Sequence, residues 1–283
     1  MGIDPGIALR CRGYSVHASP AGGAVLQAPA CAPMSQAFFL SGHRGELACR
    51  YWPGNAGRAP VLLVPPLHEE MNRARVQLRR VGEHLQARGH SVLLGDLYGS
   101  GDSAGEFGEA TLSQWQQDVQ TLLGHLREHH ACAPVPVALR GGALLIPHDS
   151  ARWIACFPLH SGQQQIQQWL RQRLYVARFQ GEDIDRQALL ERWRSEGIEV
   201  GGYALSPALL GELETASLPP LMDTQAAALV IEWQQPQPSP AFAEAVTRGA
   251  LGWRSLPGPA FWQTAETSVI EALPQAIADG LPA

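Results

Sequence analysis

From residue 36 onward, short apolar runs alternate with longer amphipathic segments, and this alternation restricts the folds open to the chain. The run 61–64 (VLLV) is continuously apolar, as expected of a strand that is covered on both faces. Segments 71–85 and 112–126 carry apolar residues at three- and four-residue spacing, which predicts helices. Strands joined by helices predict an α/β protein with a doubly wound, mainly parallel sheet. The alternation breaks over 161–218, where two amphipathic helices predict an insertion.

The segment 136–145 predicts a short strand, a tight turn and the start of a helix. The same layout forms the nucleophile elbow of α/β-hydrolases, whose usual pattern is Gly-x-Ser-x-Gly. The chain therefore resembles that superfamily, which implies an α/β-hydrolase fold with 161–218 as a helical lid and 34–160 and 219–283 as the core. The five elbow positions nevertheless read Ala-Leu-Arg-Gly-Gly, so Arg140 stands where serine is expected. A guanidinium stays protonated and has no lone pair with which to attack a carbonyl.

The other members of a hydrolase triad are also missing or doubtful. Such enzymes carry nucleophile, acid and histidine in that chain order. The last of the ten histidines is His160, so the loops after the later strands contain none. Glu232 follows an apolar run where the acid is expected, but it would have no imidazole to orient. The sequence thus predicts a hydrolase shell without the Ser-His-Asp triad. Since only residues 146–151 precede the next predicted strand, the helix behind the elbow should be reduced to one or two turns.

The loop 65–72, Pro-Pro-Leu-His-Glu-Glu-Met-Asn, is expected to face the elbow, because this loop normally supplies one oxyanion-hole amide. A partly buried arginine without a partner carries a large desolvation penalty. We therefore predict that Glu70 forms a bidentate ion pair with Arg140 and closes the former active site. In the alternative interpretation, Glu69 and Glu70 are first-turn acids that interact with a helix dipole. Both interpretations can hold together.

Arg140, Glu70 and Glu69 are the candidate catalytic residues of this arrangement. In another interpretation Arg140 binds a small acyl or carboxylate ligand with help from the neighbouring loop, although the adjacent acids would oppose an anion. The candidate ligand-binding residues are Arg140, Gly141, Asn72 and Leu67. No residues show the spacing of a metal site, and no cofactor is predicted.

Three motifs extend the resemblance to a particular family. They read PP-x-x-EEMN at 65–72, DLYG-x-GDS at 96–103 and LR-x-G at 139–142. Together they resemble the second type of exosortase A system-associated hydrolase, which accompanies PEP-CTERM protein sorting and exopolysaccharide gene clusters. The Glu-Glu-Met-Asn block is the more specific part of the match. The resemblance implies a hydrolase by fold, without serine at the elbow, and an interaction partner in the exosortase and exopolysaccharide pathway.

Composition excludes several other classes of function. Charged residues make up 17% of the chain, the net charge is −5 and no basic cluster occurs, which argues against nucleic-acid binding. The chain has no lysine, so Schiff-base chemistry through lysine is excluded. Its five scattered cysteines form no CxxC pair and favour a reduced, cytoplasmic protein. No apolar run reaches the roughly 18 residues needed to span a bilayer.

Residues 1–33 differ in composition from the rest of the chain. They are rich in glycine, alanine and proline and have no apolar periodicity. We expect them to form a disordered N-terminal extension, with translation of the native protein beginning at Met34.

Three classes of function stay open. The chain can be a hydrolase-fold enzyme that acts through non-standard residues, a pseudo-enzyme that binds a ligand in the old pocket, or an interaction protein that uses the surface of its helical lid. Only analogy of fold supports the first class. The missing nucleophile and histidine favour the other two.

Overall fold

The computed structural model describes residues 35–219, 227–264 and 266–282, so the predictions about residues 1–33 and Met34 lie outside the described residues. The strands of the described part are β1 (Gln36–Ser41), β2 (Glu46–Trp52), β3 (Val61–Val64), β4 (Val92–Gly95), β5 (Val135–Leu139), β6 (Arg152–Cys156), β7 (Ile198–Val200), β8 (Tyr203–Leu205), β9 (Ala227–Trp233) and β10 (Leu251–Leu256). Eight of them form one sheet in the order β1-β2-β4-β3-β5-β6-β9-β10. Strand β2 is antiparallel to its neighbours β1 and β4, and the remaining pairs are parallel. The predicted mainly parallel sheet is confirmed.

Helices follow most of the strands. They are α1 (Glu69–Ala87), α2 (Leu112–His129), α3 (Gly162–Phe179), α4 (Arg186–Glu196), α5 (Pro207–Leu213), α6 (Pro240–Thr247) and α7 (Leu273–Ala278). Four of them have a serine, threonine or aspartate as N-cap residue. Its side-chain oxygen accepts a hydrogen bond from the backbone N–H three residues later, a donor that has no partner within the helix. Among the described helices, none is both long and apolar enough to cross a membrane.

The central strands of the sheet are buried on both faces, which explains their continuous apolar sequences. In β5, Ala138 packs into one apolar cluster while Val137 and Leu139 pack into the other. Helix α2 covers the first face through residues such as Trp115, and α1 covers the second through residues such as Leu78. Successive side chains of a strand point to opposite faces, so an apolar strand makes both faces of the sheet apolar. Each helix that covers a face is therefore apolar on the side that contacts the sheet.

Residues 161–218, called the insertion below, lie between β6 and β9 and contain α3, α4, the β7–β8 hairpin and α5. The two amphipathic helices were predicted, but the hairpin and α5 were not. The hairpin turns through Gly201 and Gly202, which have φ of 55° and 84°. A Gly-Gly pair between two short apolar runs is a known signal for such a two-residue turn. The division of the chain into a core and this insertion stays a prediction.

The helical segment near the C-terminus is shorter than its sequence pattern suggested. The pattern predicts a helix near 266–279, whereas α7 begins at Leu273. Pro274 stands in the first turn of α7, where a missing amide hydrogen costs nothing. Ahead of it, the backbone of Ile270 exchanges two hydrogen bonds with the Gln77 side chain (2.7 and 3.3 Å), which holds this segment against α1 instead of in a helix.

Candidate functional site

The chain makes a sharp turn at the predicted elbow. Strand β5 ends at Leu139, Arg140 has φ 54°, and a short 3₁₀ helix runs from Arg140 to Leu145. The shortened helix was predicted. A positive φ is uncommon in a residue with a side chain and stores strain. The other described non-glycine residues with positive φ are His68, Phe157 and Gln234, which follow β3, β6 and β9. The strain therefore gathers beyond the carboxyl ends of parallel strands, the usual place for a site in such a sheet.

Arg140 and Glu70 form the predicted ion pair. Arg140 Nε lies 3.3 and 3.4 Å from the two carboxylate oxygens of Glu70, and Nη2 lies 3.4 Å from Oε1. The Gln168 amide bridges both groups, since its Nε2 donates to Glu70 Oε1 (2.6 Å) and its Oε1 accepts from Arg140 Nη2 (3.0 Å). Nη1 donates to the Phe157 carbonyl (3.0 Å). The two charged side chains are only 11% and 8% exposed, so the ion pair is largely buried.

An indole ring covers one face of the guanidinium. The centre of the Trp262 ring lies 4.7 Å from Arg140 Cζ, a cation–π distance, and the ring stacks on Phe157 at 5.1 Å. Trp262 belongs to the loop after β10, which supplies the histidine in hydrolases with a triad. A buried aromatic ring thus faces the elbow where the general base would stand.

The loop after β3 and the first turn of α1 hold the insertion. His68 Nε2 lies 2.7 Å from the Val200 carbonyl, and Gln172 donates to Glu69 (2.9 Å). Gln168 donates to Glu70, and Asn72 donates to the Tyr203 hydroxyl (2.7 Å). We call His68, Glu69, Glu70 and Asn72 the clasp. Since both glutamates also lie in the first turn of α1, the ion-pair and helix-dipole interpretations hold together.

His68 belongs to this candidate site but was not predicted from the sequence. Its ring is 3% exposed and contacts the rings of Phe107, Trp169 and Tyr203. Burial is the main cause that lowers the pKa of His68 to about 4, and the hydrogen bond with Val200 and the charge of Glu69 only partly oppose it. The imidazole is therefore neutral near pH 7. Because the Val200 carbonyl can only accept, Nε2 carries the proton.

The predicted ligand-binding residues are not gathered around one cavity. Asn72 bonds with Tyr203, whereas Gly141 and Leu67 lie beside Gln165. A Cβ at Gly141 would stand 2.2 Å from Gln165 Oε1, a buried acceptor without a partner in the described part of the chain. A cavity of about 780 Å³ lies elsewhere, between the β1–β2 strands and α1. The catalytic and ligand-binding roles proposed for these residues stay predictions.

Glycine is required in the elbow because other backbone atoms approach it closely. A Cβ at Gly142 would lie 2.2 Å from the Pro65 carbonyl oxygen, which belongs to the backbone after β3. We expect Gly142→Ala to lower the free energy of unfolding by about 1–3 kcal/mol. Gly141→Ala should cost less than about 1 kcal/mol, since its Cβ meets the end of the flexible Gln165 side chain. Urea unfolding of the two variants tests this, and equal losses would contradict it.

The remaining candidates are structural. Glu232 accepts from the Ser239 amide (2.9 Å) and Trp253 Nε1 (2.7 Å). His160 forms hydrogen bonds with Gln164, and the Ser161 hydroxyl caps the start of α3. No group of three metal-ligand residues occurs within the described ranges.

Comparisons with known proteins agree with this geometry. No protein-family model matches the chain, and a search of curated proteins finds no similar sequence. Among solved structures, Est1E from Butyrivibrio proteoclasticus bound to ferulic acid is similar with a TM-score of 0.60, 16% identity and coverage of 86% of this chain and 96% of that chain. The α/β-hydrolase GrgF from Penicillium sp. sh18 has a TM-score of 0.56 at 15% identity, covering 87% and 97%. Mouse α/β-hydrolase domain-containing protein 10 has a TM-score of 0.51 at 13% identity, covering 86% and 96%.

Strand order, elbow and structural neighbours together define an α/β-hydrolase fold. At these identities the similarity establishes the fold alone.

Proposed function

We propose that the protein is a non-catalytic member of this fold, a pseudo-enzyme that acts by binding a partner. The observation that supports it is that Glu70, Gln168, the Phe157 carbonyl and the Trp262 ring surround the Arg140 guanidinium. These groups fill the space in which a hydrolase needs a nucleophile and an imidazole. In this proposal, the old active site fastens the insertion to the sheet and keeps its outer surface in one position.

The pathway of the partner is a further part of the proposal. The Glu-Glu-Met-Asn block of 69–72 resembles the exosortase A system-associated hydrolases, so the partner is proposed to belong to the exosortase and exopolysaccharide system. Three of the four clasp residues, Glu69, Glu70 and Asn72, come from this block. In this proposal the Glu-Glu-Met-Asn sequence is explained by its contacts with the insertion, and no catalytic role is needed.

A second candidate function is binding of a small carboxylate at Arg140. It is supported by the neighbour Est1E, whose structure holds ferulic acid. A ligand carboxylate would have to displace Glu70 from the guanidinium, since both groups use the same donors. Ferulate and short fatty acids should therefore raise the melting temperature of the wild type only if Glu70 moves away. Glu70→Gln should strengthen that response under this candidate function.

The decisive experiment compares the wild type with Arg140→Ala and with the exposed control Arg192→Ala. All three are assayed on a panel of short acyl esters and treated with a fluorophosphonate probe. The proposal predicts no turnover above background and no labelled protein, because no nucleophile–base pair is present at the elbow. Wild-type turnover that disappears in Arg140→Ala and persists in Arg192→Ala would overturn it.

A further inference from the structure

Two histidines lie side by side on the last turns of α2, far along the chain from the elbow. Of the ten histidines in the sequence, His125 and His129 are the only two that are four residues apart. Residues at this spacing are neighbours on one side of a helix. The centres of the two imidazole rings lie 4.3 Å apart, with 38° between the ring planes. We call these two residues the histidine pair.

The distance between the rings is suitable for binding one metal ion. A zinc–imidazole bond is about 2.0–2.1 Å long, which puts the centre of a bound ring about 3.2 Å from the ion. Two such rings at roughly a right angle around the ion have centres about 4.5 Å apart. The observed separation of 4.3 Å is therefore close to that of two adjacent ligands of the same ion.

A hydrogen bond to the backbone orients the ring of His129. Its Nδ1 lies 2.8 Å from the carbonyl oxygen of His125. Because a carbonyl can only accept, Nδ1 carries the proton, and Nε2 of the neutral ring keeps its lone pair. Metal-bound histidines commonly donate their second N–H to a carbonyl in this way, which fixes both the tautomer and the ring orientation. His129 is thus prepared to bind an ion through Nε2.

The ring of His125 is held by packing. It is half-buried, and its centre lies 5.5 Å from that of the Phe38 ring in β1. It forms no hydrogen bond with any residue in the described part of the chain, so a ring nitrogen is free to bind an ion. The next histidine is used differently, since His130 Nε2 lies 3.2 Å from the Tyr51 hydroxyl.

From this geometry we propose that the histidine pair chelates a divalent transition-metal ion. No group of three or more ligand residues occurs among the described residues, so the protein supplies two imidazoles. Water or an external ligand takes the remaining positions, as in other open metal sites. Imidazole ligands suit Cu²⁺, Ni²⁺ and Zn²⁺, and the Irving–Williams order predicts the tightest binding for Cu²⁺. The pair was not identified from the sequence, because two ligands fall short of the three or four of a complete site.

Calorimetric titration of the untagged full chain with Cu²⁺, Ni²⁺ and Zn²⁺ tests this site at about pH 7.5, where histidine is mainly neutral. The wild type should bind one Cu²⁺ per chain, more tightly than either other ion. His125→Gln and His129→Gln should each weaken Cu²⁺ binding about tenfold or more, because the second imidazole binds intramolecularly once the first is bound. Circular dichroism checks that α2 stays folded in both variants.

His148 provides a matched control, since it is exposed and lies outside α2. His148→Gln should bind Cu²⁺ as the wild type does. A wild type without saturable one-to-one binding would overturn the proposal. So would a His125→Gln or His129→Gln variant that binds as tightly as the wild type, because the ion would then be held adventitiously elsewhere.

Electron paramagnetic resonance of the Cu²⁺ complex tests the ligand set directly. Hyperfine splitting from two imidazole nitrogens is expected in the wild type, and from only one in each single variant of the histidine pair. A wild-type spectrum with only one nitrogen ligand, or with oxygen ligands alone, would contradict chelation by both rings.

Discussion

Replacing Glu70 by alanine is expected to lower the free energy of unfolding by about 3–5 kcal/mol, because it leaves the Arg140 charge buried without its counter-ion. Gln168 and the Phe157 carbonyl would still accept hydrogen bonds from Arg140, but neither carries a negative charge. The effect is measured by urea unfolding at neutral pH, with circular dichroism to confirm that the variant folds. A loss below about 1 kcal/mol would show that the pair is solvated in solution.

The adjacent glutamate is a matched control for this measurement. Glu69 pairs with Arg73 within the same helix, but the two side chains are 31% and 30% exposed. Glu69→Ala should therefore cost only about 1 kcal/mol or less. The double substitution Glu70→Leu with Arg140→Met should recover most of the stability lost in Glu70→Ala, because it removes both buried charges together. Failure of that recovery would mean that packing, and not charge, dominates at the elbow.

Stability is expected to fall by about 2 kcal/mol between about pH 7 and about pH 5 because of His68 alone. Burial lowers the pKa of this imidazole to about 4 in the folded protein. Above the ordinary pKa of about 6.5 both the folded and the unfolded states hold His68 neutral, so it adds no pH dependence. As the pH falls below 6.5, the unfolded chain binds a proton that the folded chain does not, and stability declines until the pH reaches the folded pKa.

His68→Asn isolates this contribution, because asparagine keeps a polar side chain at this position and cannot titrate. The free energy of unfolding is measured in urea at both pH values for the two proteins. The variant should be less stable near pH 7 but should lose about 2 kcal/mol less than the wild type on acidification. Asn72→Ala removes another clasp contact without removing a titratable group, so it should keep the wild-type pH dependence. Equal pH dependence in wild type and His68→Asn would contradict the buried, neutral imidazole.

The sheet and the central ion pair could be predicted because each depends on a local pattern or a strong energetic demand. Continuous apolar strands and amphipathic helices gave the α/β architecture. The partner of Arg140 followed from the penalty for burying a lone guanidinium and from the position of Glu70 in the facing loop. In both cases a few residues require a particular contact, and that contact can be predicted from them.

The clasp could not be predicted in full, because it depends on how a distant segment packs. Gln168 and Gln172 reach the core across roughly a hundred residues of sequence, and nothing local to either glutamine indicates its partner. His68 reads as an ordinary loop residue until the hairpin carbonyl of Val200 is placed beside it. The sequence shows that the loop after the last strand contains no histidine, but the stacking of Trp262 on Arg140 requires the three-dimensional structure.

The strained backbone at Arg140 shows that the turn of the elbow does not depend on a catalytic side chain. A positive φ at the elbow is usually explained by the need to expose a nucleophile, yet here the same conformation, with its cost of about 1–3 kcal/mol, carries a side chain that cannot attack. The close approach of Gly142 to the Pro65 carbonyl, and the crossing from β5 into the 3₁₀ helix, impose the turn whatever residue occupies it. In folds of this kind, a sharp elbow records how the chain must leave its central strand. Its presence alone is therefore no evidence that a protein is an enzyme.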